Sequence, residues 1–529
     1  MPQWETPRTG TYNAAVDLIS RNLSHRPDKI AYIDSDGCYS YRDVAVRAEQ
    51  AGAALRAIGI RPGDRVALCM LDSIEFIAVF LGALRVGIIP IPLNTLLTAD
   101  DYAFILNDSG ARAAVVSDAQ VQKLREAIQR SQWAGEMIVS GAPESATGRT
   151  LGTLIDPKGE TVPHHPTRAD DIAFWLYSSG STGSPKGTPH RHSSLMITAE
   201  LFARDTLRLQ EDDVVFSAAK LFFAYGLGNA LTFPMSVGAT CVLHAGRPSP
   251  EVVARLLIDH KVTVFCGAPT LFGSILASSH LSERGQHALR LCLSAGEALP
   301  SEIGRAWTAR TGVEIVDGIG STEMLHIYIS NRPKQVRHGS TGSPVPGYEV
   351  RLVGEDGLEV GPGEIGELYV RGPTMATEYW NQPEKTAAAF VDGWLRTGDK
   401  FLVQDDGGLR HCGRADDMLK VSGIWVSPIE VENALLAHDS VLEAAVIGVT
   451  DEAGLVKSKA FVVSKAGVTA DRALAQALKD FTKERLAPYK YPREIEFVAE
   501  LPKTANGKIR RHVLREQEKR RRADSALVQ

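Results

Sequence analysis

Residues 177–187 read Tyr-Ser-Ser-Gly-Ser-Thr-Gly-Ser-Pro-Lys-Gly. The stretch follows an apolar run, Ile172–Leu176, that reads as a strand, and precedes a helical pattern beginning near Ser193. Gly180, Gly183 and Gly187 permit a tight backbone turn with its N–H groups pointing inward. Four serines and one threonine add hydroxyl donors, and Lys186 adds charge. That is the equipment of a loop that cradles a polyphosphate. The spacing is not that of the common NTPase loop, which needs Lys-Ser/Thr directly after its last glycine. A flexible Ser/Gly linker is the competing reading, but the ordered flanks and the Pro-Lys step argue against it.

Working outward, apolar runs at Arg65–Met70, Ala113–Val116, Met137–Val139, Val262–Cys266 and Glu314–Val316 read as strands. Helical patterns such as Tyr41–Ile58 and Ser249–His260 lie between them. The alternation predicts an α/β architecture with largely parallel sheets. Short strands at Glu349–Val353 and Gly366–Val370, separated by Gly/Asp turns, predict a small β-rich subdomain. Beyond Arg414 the texture changes again. Helices at Ile429–Ala437 and Asp471–Leu486, with strands at Leu442–Val449, Lys459–Val463 and Glu494–Val498, predict a compact α+β unit. The expected division is an N-terminal domain over residues 1–414 and a C-terminal domain over 415–529. The final segment, Glu516–Gln529, carries Lys519–Arg522 and reads as a solvated tail.

The chain has 529 residues, 44% hydrophobic and 23% charged, with a net charge of −5. That composition excludes wholesale disorder and gives no basic excess that would point to nucleic acid. Its length suggests about three or four folding units. The six cysteines have no C-x-x-C spacing and read as reduced thiols of a cytoplasmic protein. MPQWETPRTG lacks the pattern of a signal peptide. The most apolar window, Ile74–Leu93, contains Glu75, Arg85, Pro90 and Pro92, and reads as a buried helix running into a strand, not as a membrane span. His164-His165 and His190-Arg-His192 lack further ligands at metal-binding spacing and read as solvated loop histidines.

Four further segments follow the serine-rich loop in order: Gly318-Ile-Gly-Ser-Thr-Glu323, Leu395-Arg-Thr-Gly-Asp399, Gly413-Arg-Ala-Asp-Asp-Met-Leu-Lys420 with Ser422-Gly423, and Pro502-Lys-Thr-Ala-Asn-Gly-Lys508. Together with residues 177–187 they resemble the signature motifs of the adenylate-forming superfamily: acyl-CoA synthetases, peptide-synthetase adenylation domains and beetle luciferases. The resemblance spans essentially the whole chain. It implies a large N-terminal domain of α/β subdomains plus a β-rich subdomain, and a mobile C-terminal α+β domain. It implies activation of a carboxylate by ATP with Mg²⁺, then transfer to a thiol, with coenzyme A as co-substrate.

Carried over residue by residue, the resemblance makes Ser178, Ser179, Ser181, Thr182 and Lys186 the holders of the β- and γ-phosphates. Thr322 would bind the α-phosphate, and Glu323 with Thr182 would place the metal. Ala295, Gly296, Glu297, Asp317, Gly318 and Ile319 would surround the adenine. Asp399 would accept the ribose hydroxyls, with Arg414 beside it. Lys508 would be the catalytic cation and Asp416 the hinge. Lys420 and Gly423 would line the thiol tunnel after rotation. The resemblance further implies reversible acetylation of Lys508 by a lysine acetyltransferase and allows a homodimer.

Lys220-Leu-Phe-Phe-Ala-Tyr-Gly-Leu-Gly-Asn-Ala-Leu-Thr-Phe-Pro234, together with residues 318–326, resembles the benzoate–CoA ligase branch, including Ile319 where most members carry tyrosine. That resemblance implies an acid pocket lined by Ala224, Tyr225, Gly320, His326 and Ile327, and an aromatic acid, most simply benzoate. His326 reads equally as a contact to the substrate and as a neutral packing residue. Three other readings stay open: a ligase for hydroxy- or aminobenzoate, an adenylating enzyme serving a separate carrier protein (no carrier segment follows Lys508), and a non-catalytic aryl-adenylate sensor.

Overall fold

The computed structural model describes residues 9–141, 149–155, 161–180, 183–281, 284–421, 424–450, 456–487, 489–504 and 508–527. Its largest sheet has nine strands, in the order Ser343–Pro344, Ile327–Ser330, Ile315–Gly320, Leu291–Ser294, Val264–Gly267, Val214–Ser217, Thr240–Val242, Ile30–Ile33 and Cys38–Ser40. The middle pairings are parallel, and both ends are antiparallel. Every residue of Val264–Gly267 and Leu291–Ser294 is buried, as expected for parallel strands covered on both faces. A second sheet is parallel throughout and orders Ile89–Pro92, Arg65–Cys69, Ala113–Ser117, Glu136–Ser140 and Arg149–Thr150.

The apolar window resolves as expected into helix Ile74–Arg85 and strand Ile89–Pro92. Ten of that helix's twelve residues are buried, so it is apolar almost all round because it has almost no solvent face. It crosses helix Tyr41–Ala57 very closely: a Cβ at Gly82 would sit 2.4 Å from the Ala48 carbonyl oxygen. The partner helix starts with a capping box in which Ser40 and Asp43 satisfy each other's backbone N–H groups. Among the described residues no helix is long and apolar enough to cross a membrane.

The β-rich subdomain is an antiparallel sheet of Glu349–Val353, Ile365–Arg371, Trp394–Val403 and Phe390–Val391, with Leu409–Arg414 added on Trp394–Val403. The last unit pairs Val441–Thr450, Val456–Ser464 and Glu494–Phe497, with helices Pro428–Leu436, Arg472–Arg485 and Arg511–Leu527.

Three sequence expectations need correction. The strand before the serine-rich stretch and the helix near Ser193, which begins at His192, are where they were expected, but a second strand was missed: Gly183–Arg191 pairs antiparallel with Ile172–Gly180 and carries Lys186. The basic segment Lys519–Arg522 is solvated as expected at Lys519, Arg520 and Arg521, but it is not a tail. It belongs to helix Arg511–Leu527, where Glu518 is buried against Lys459 at 2.8 Å, Arg522 pairs with Glu494 at 2.7 Å and Arg521 with Glu496 at 2.6 Å. Finally, His190 and His192 are not solvated but each 1% exposed. Burial lowers their pKa values to about 3 and about 4, so both rings stay neutral.

Candidate active site

The hairpin brings Lys186 opposite Ser178. Lys186 is largely shielded, and that desolvation lowers its pKa while the nearby Glu323 carboxylate opposes the shift. The side chain of Ser179 and the residues Ser181 and Thr182 lie outside what the structure describes.

Glu323 sits in the single turn Thr322–Met324, directly after strand Ile315–Gly320. Its Oε1 accepts the Tyr379 hydroxyl at 2.6 Å, and its backbone oxygen accepts the Ala376 N–H at 2.8 Å. The strand before it needs its glycines. A Cβ at Gly320 would lie 2.5 Å from the His326 carbonyl oxygen, and one at Gly318 would lie 2.9 Å from Ile327 Cγ2. Asp317 lies opposite Ser294 in the last parallel pair of neighbouring strands and Ala295 follows Ser294; they are 6% and 5% exposed, with Gly296 exposed beyond Ala295 and Ile319 half-buried. Burial raises the Asp317 pKa well above the usual carboxylate range.

The proposed acid-pocket residues gather on one side of this strand end. Ala224 and Tyr225 begin a short helix, Ala224–Leu227, that widens into a π-type turn at Gly228–Thr232. The Tyr225 hydroxyl donates to the Leu293 carbonyl at 3.0 Å. His326 lies among Phe202, Tyr225 and Phe233, with ring centroids 5.4, 5.6 and 4.5 Å away. Its Nε2 is 3.4 Å from the Tyr225 carbonyl oxygen, and its buried Nδ1 has no partner among the described residues. Burial lowers its pKa to about 3, so it is a neutral ring. Ile327 is buried beside it.

On the opposite side, strand register sets Asp399 against Arg414. Asp399 is 8% exposed; its Oδ1 is 3.3 Å from His411 Nε2 and 3.5 Å from Arg414 Nη1. Burial pushes this carboxyl up, but His411, Arg414 and Lys508 outweigh it and hold it below its ordinary value. Gly398 has φ +74°, and a Cβ there would lie 2.9 Å from the Arg414 guanidinium. Asp416 is exposed, 3.8 Å from Arg414 Nε. The Lys420 side chain and Gly423 lie outside what the structure describes.

The segment that carries Lys508 meets the end of the large sheet at Glu297. Its Oε1 accepts the backbone N–H of Ile509 at 2.6 Å, next to Lys508, whose N–H donates to Thr504 Oγ1 at 3.1 Å. Burial raises the Glu297 pKa, opposed by that N–H, Arg511 and Lys508. Lys508 is exposed and exerts its charge on both Asp399 and Glu297.

Sequence reasoning missed Tyr379, His411 and the side-chain role of Glu297. Tyr379 and Trp380 stand out as an aromatic pair in a polar stretch, but nothing local ties them to a carboxylate 56 residues away. His411 pairs with Phe401 on the neighbouring strand, and only its side chain, reaching across the irregular register to Asp399 at 3.3 Å, reveals the contact.

The AMP-binding enzyme family matches residues 19–380, and the AMP-binding enzyme C-terminal domain matches residues 430–508. The chain belongs to the AMP-binding, adenylate-forming enzymes. It is 54% identical to a benzoate–CoA ligase of Thauera aromatica over 95% of this chain and 96% of that one. Among solved structures, it is similar to a benzoate CoA ligase from Burkholderia xenovorans LB400, with TM-score 0.90, 50% identity, and coverage of 95% of this chain and 100% of the other. An anthranilate CoA ligase in complex with anthranoyl-AMP superposes with TM-score 0.95 and 42% identity, covering 99% of this chain and 100% of that one. The adenylate-forming fold expected from the motifs is therefore the fold of this chain.

Proposed function

We propose that this adenylate-forming enzyme is an AMP-forming aryl acid–CoA ligase that converts benzoate, ATP and CoA to benzoyl-CoA, AMP and pyrophosphate through benzoyl-adenylate. One juxtaposition carries the reading. An apolar, aromatic-walled floor around the neutral His326 adjoins a strand end that bears Thr322 and Glu323. Lys508, Lys186 and Arg414 lie around the same site.

In the first step a benzoate oxygen attacks the α-phosphorus, and the bond to the bridging oxygen breaks to release pyrophosphate. Such a transfer needs positioning and charge stabilisation more than covalent help. Ser178, Ser179, Ser181, Thr182 and Lys186 hold the β- and γ-phosphates, and Thr322 the α-phosphate. Asp399, kept ionised by its cationic neighbours, accepts the ribose hydroxyls, and Arg414 orients it. Ala295, Gly296, Glu297, Asp317, Gly318 and Ile319 surround the adenine. Lys508 offsets the negative charge that builds between carboxylate and phosphate. Ala224, Tyr225, Gly320, His326 and Ile327 form the ring pocket, where the uncharged His326 suits a flat apolar ring.

Glu323 is a fitting ligand for Mg²⁺. That ion is held by one or two carboxylates plus substrate phosphates, not by an all-protein cage, and among the described residues nothing donates a hydrogen bond to Glu323 Oε2. Bound there, the ion would supply charge neutralisation to the triphosphate. In the second step the CoA thiol attacks the activated carbonyl and AMP leaves. We place the hinge for this step at Asp416, with residues 415–529 rotating so that Lys420 and Gly423 face the site. The contact of Ile509 with Glu297 fits the arrangement that serves adenylation.

Pyrophosphate release with ATP and Mg²⁺ tests the reading. The acids are benzoate, its hydroxy and amino forms, cyclohexanecarboxylate, acetate and octanoate, each with and without CoA. Turnover confined to aryl acids, fastest with benzoate and sustained by CoA, is expected. Preference for acetate or octanoate would overturn the pocket assignment, and release without any CoA dependence would overturn the ligase.

A further inference from the structure

Tyr379 stands at the meeting point of Lys186 and Glu323. Its hydroxyl donates to Glu323 Oε1 at 2.6 Å, and its ring lies under Lys186, whose Nζ is 4.3 Å from the centroid. Neither contact is incidental to a loose loop. Tyr379 is 5% exposed, and its backbone N–H is held by Thr386 Oγ1 at 2.9 Å. The next residue fastens the same segment to the phosphate hairpin. The Trp380 N–H donates to the Gly187 carbonyl at 2.8 Å, and its indole packs on Trp175 at 4.5 Å. Gln382 adds a bond to the Pro185 carbonyl at 3.0 Å. On its other flank, Ala376 binds the Glu323 backbone. A short segment of the β-rich subdomain thus straps the hairpin that bears Lys186 to the turn that bears Glu323.

We infer that Tyr379 is a positioning residue for the triphosphate: it holds Lys186 and Glu323 apart and aims both at the β- and γ-phosphates and their cation. Lys186 and Glu323 feel each other's charge yet form no direct ion pair. A lysine and a glutamate facing each other in a shielded cleft would otherwise collapse together and spend on one another the charges the ligand needs. The phenol prevents this in two ways. Its O–H occupies one carboxylate oxygen and fixes the other's direction. Its ring face attracts the ammonium without neutralising it. The hydroxyl faces a carboxylate oxygen, so the phenol is the donor of this bond.

The inference rests on the assignment of the ATP site above but not on the identity of the acid, so its test contains no acid. Calorimetric titration with ATP plus Mg²⁺, and separately with AMP, compares wild type, Tyr379→Phe and Tyr379→Leu. Tyr379→Phe keeps the ring and loses the hydrogen bond to a charged group, and ATP binding should weaken roughly 10- to 100-fold. AMP, which lacks the β- and γ-phosphates, should bind as before. Tyr379→Leu should weaken ATP further, because Lys186 is then free to pair with Glu323. In a double-mutant cycle with Glu323→Gln, the ATP losses should be strongly non-additive. ATP binding unchanged in Tyr379→Phe would overturn the inference. So would equal weakening of ATP and AMP, which marks a merely structural role, or additive losses in the cycle. A wrong acid assignment would leave all of these titrations unaffected.

Discussion

Gly228→Ala is a small change with a large expected consequence for the acid substrate. The added Cβ would lie 2.5 Å from His326 Cδ2, 2.8 Å from its Nε2 and 3.1 Å from Phe233 Cζ. Favourable carbon contacts lie at about 3.5–4.0 Å, so the imidazole must move by about 1 Å. It has little room to do so within the protein, with Phe233 at 4.5 Å and Phe202 at 5.4 Å. Overpacking of this kind costs about 1–3 kcal/mol. Where that cost falls on substrate engagement, kcat/KM for benzoate drops roughly 5- to 150-fold, while KM for ATP stays within about twofold. Steady-state kinetics with each substrate varied in turn measures both. A second substitution, Gly228→Ala with His326→Ala, removes the ring that is struck and should recover part of the loss. Unchanged benzoate kinetics, equal loss for both substrates, or strictly additive effects of the two substitutions would refute the placement of His326 as the pocket floor.

Lys508→Ala should slow benzoyl-adenylate formation by about 10²–10³ yet still convert supplied benzoyl-adenylate and CoA to thioester; equal loss of both half-reactions would count against domain alternation. The neutral buried histidines 190, 192 and 326 predict acid sensitivity. Their folded pKa values lie below the unfolded value of about 6.5, so the unfolded chain takes up protons that the native rings refuse, and each ring removes about 1.4 kcal/mol per pH unit below that point. Urea midpoints should therefore fall from pH 6.5 toward pH 5, less steeply in His190→Phe. Identical slopes for variant and wild type would contradict the burial of that ring.

The stretch 177–187 stands out in the sequence because glycine, hydroxyl and lysine side chains have few other reasons to cluster between two apolar elements. The hairpin that carries it does not. Gly183–Arg191 contains two prolines and two glycines, which mask the period-2 signal, and its pairing partner compensates where local propensity does not. The expected tail around Lys519–Arg522 failed for a related reason. A run of basic residues reads as solvated until acidic partners from another element, here Glu494 and Glu496 of the neighbouring strand, are brought beside it.

By itself the sequence determined the texture of the chain, the order of its chemistry-bearing segments and the family they resemble, because those depend on residue type and short spacing. Only the tertiary structure decided which groups face one another. Tyr379 comes between Lys186 and Glu323, His411 comes beside Asp399, and the Ile509 amide comes to Glu297. These partners are set by strand register and by the docking of subdomains; hydrogen bonds act only within about 3.5 Å and screened charges within about 10 Å, whatever the separation along the chain.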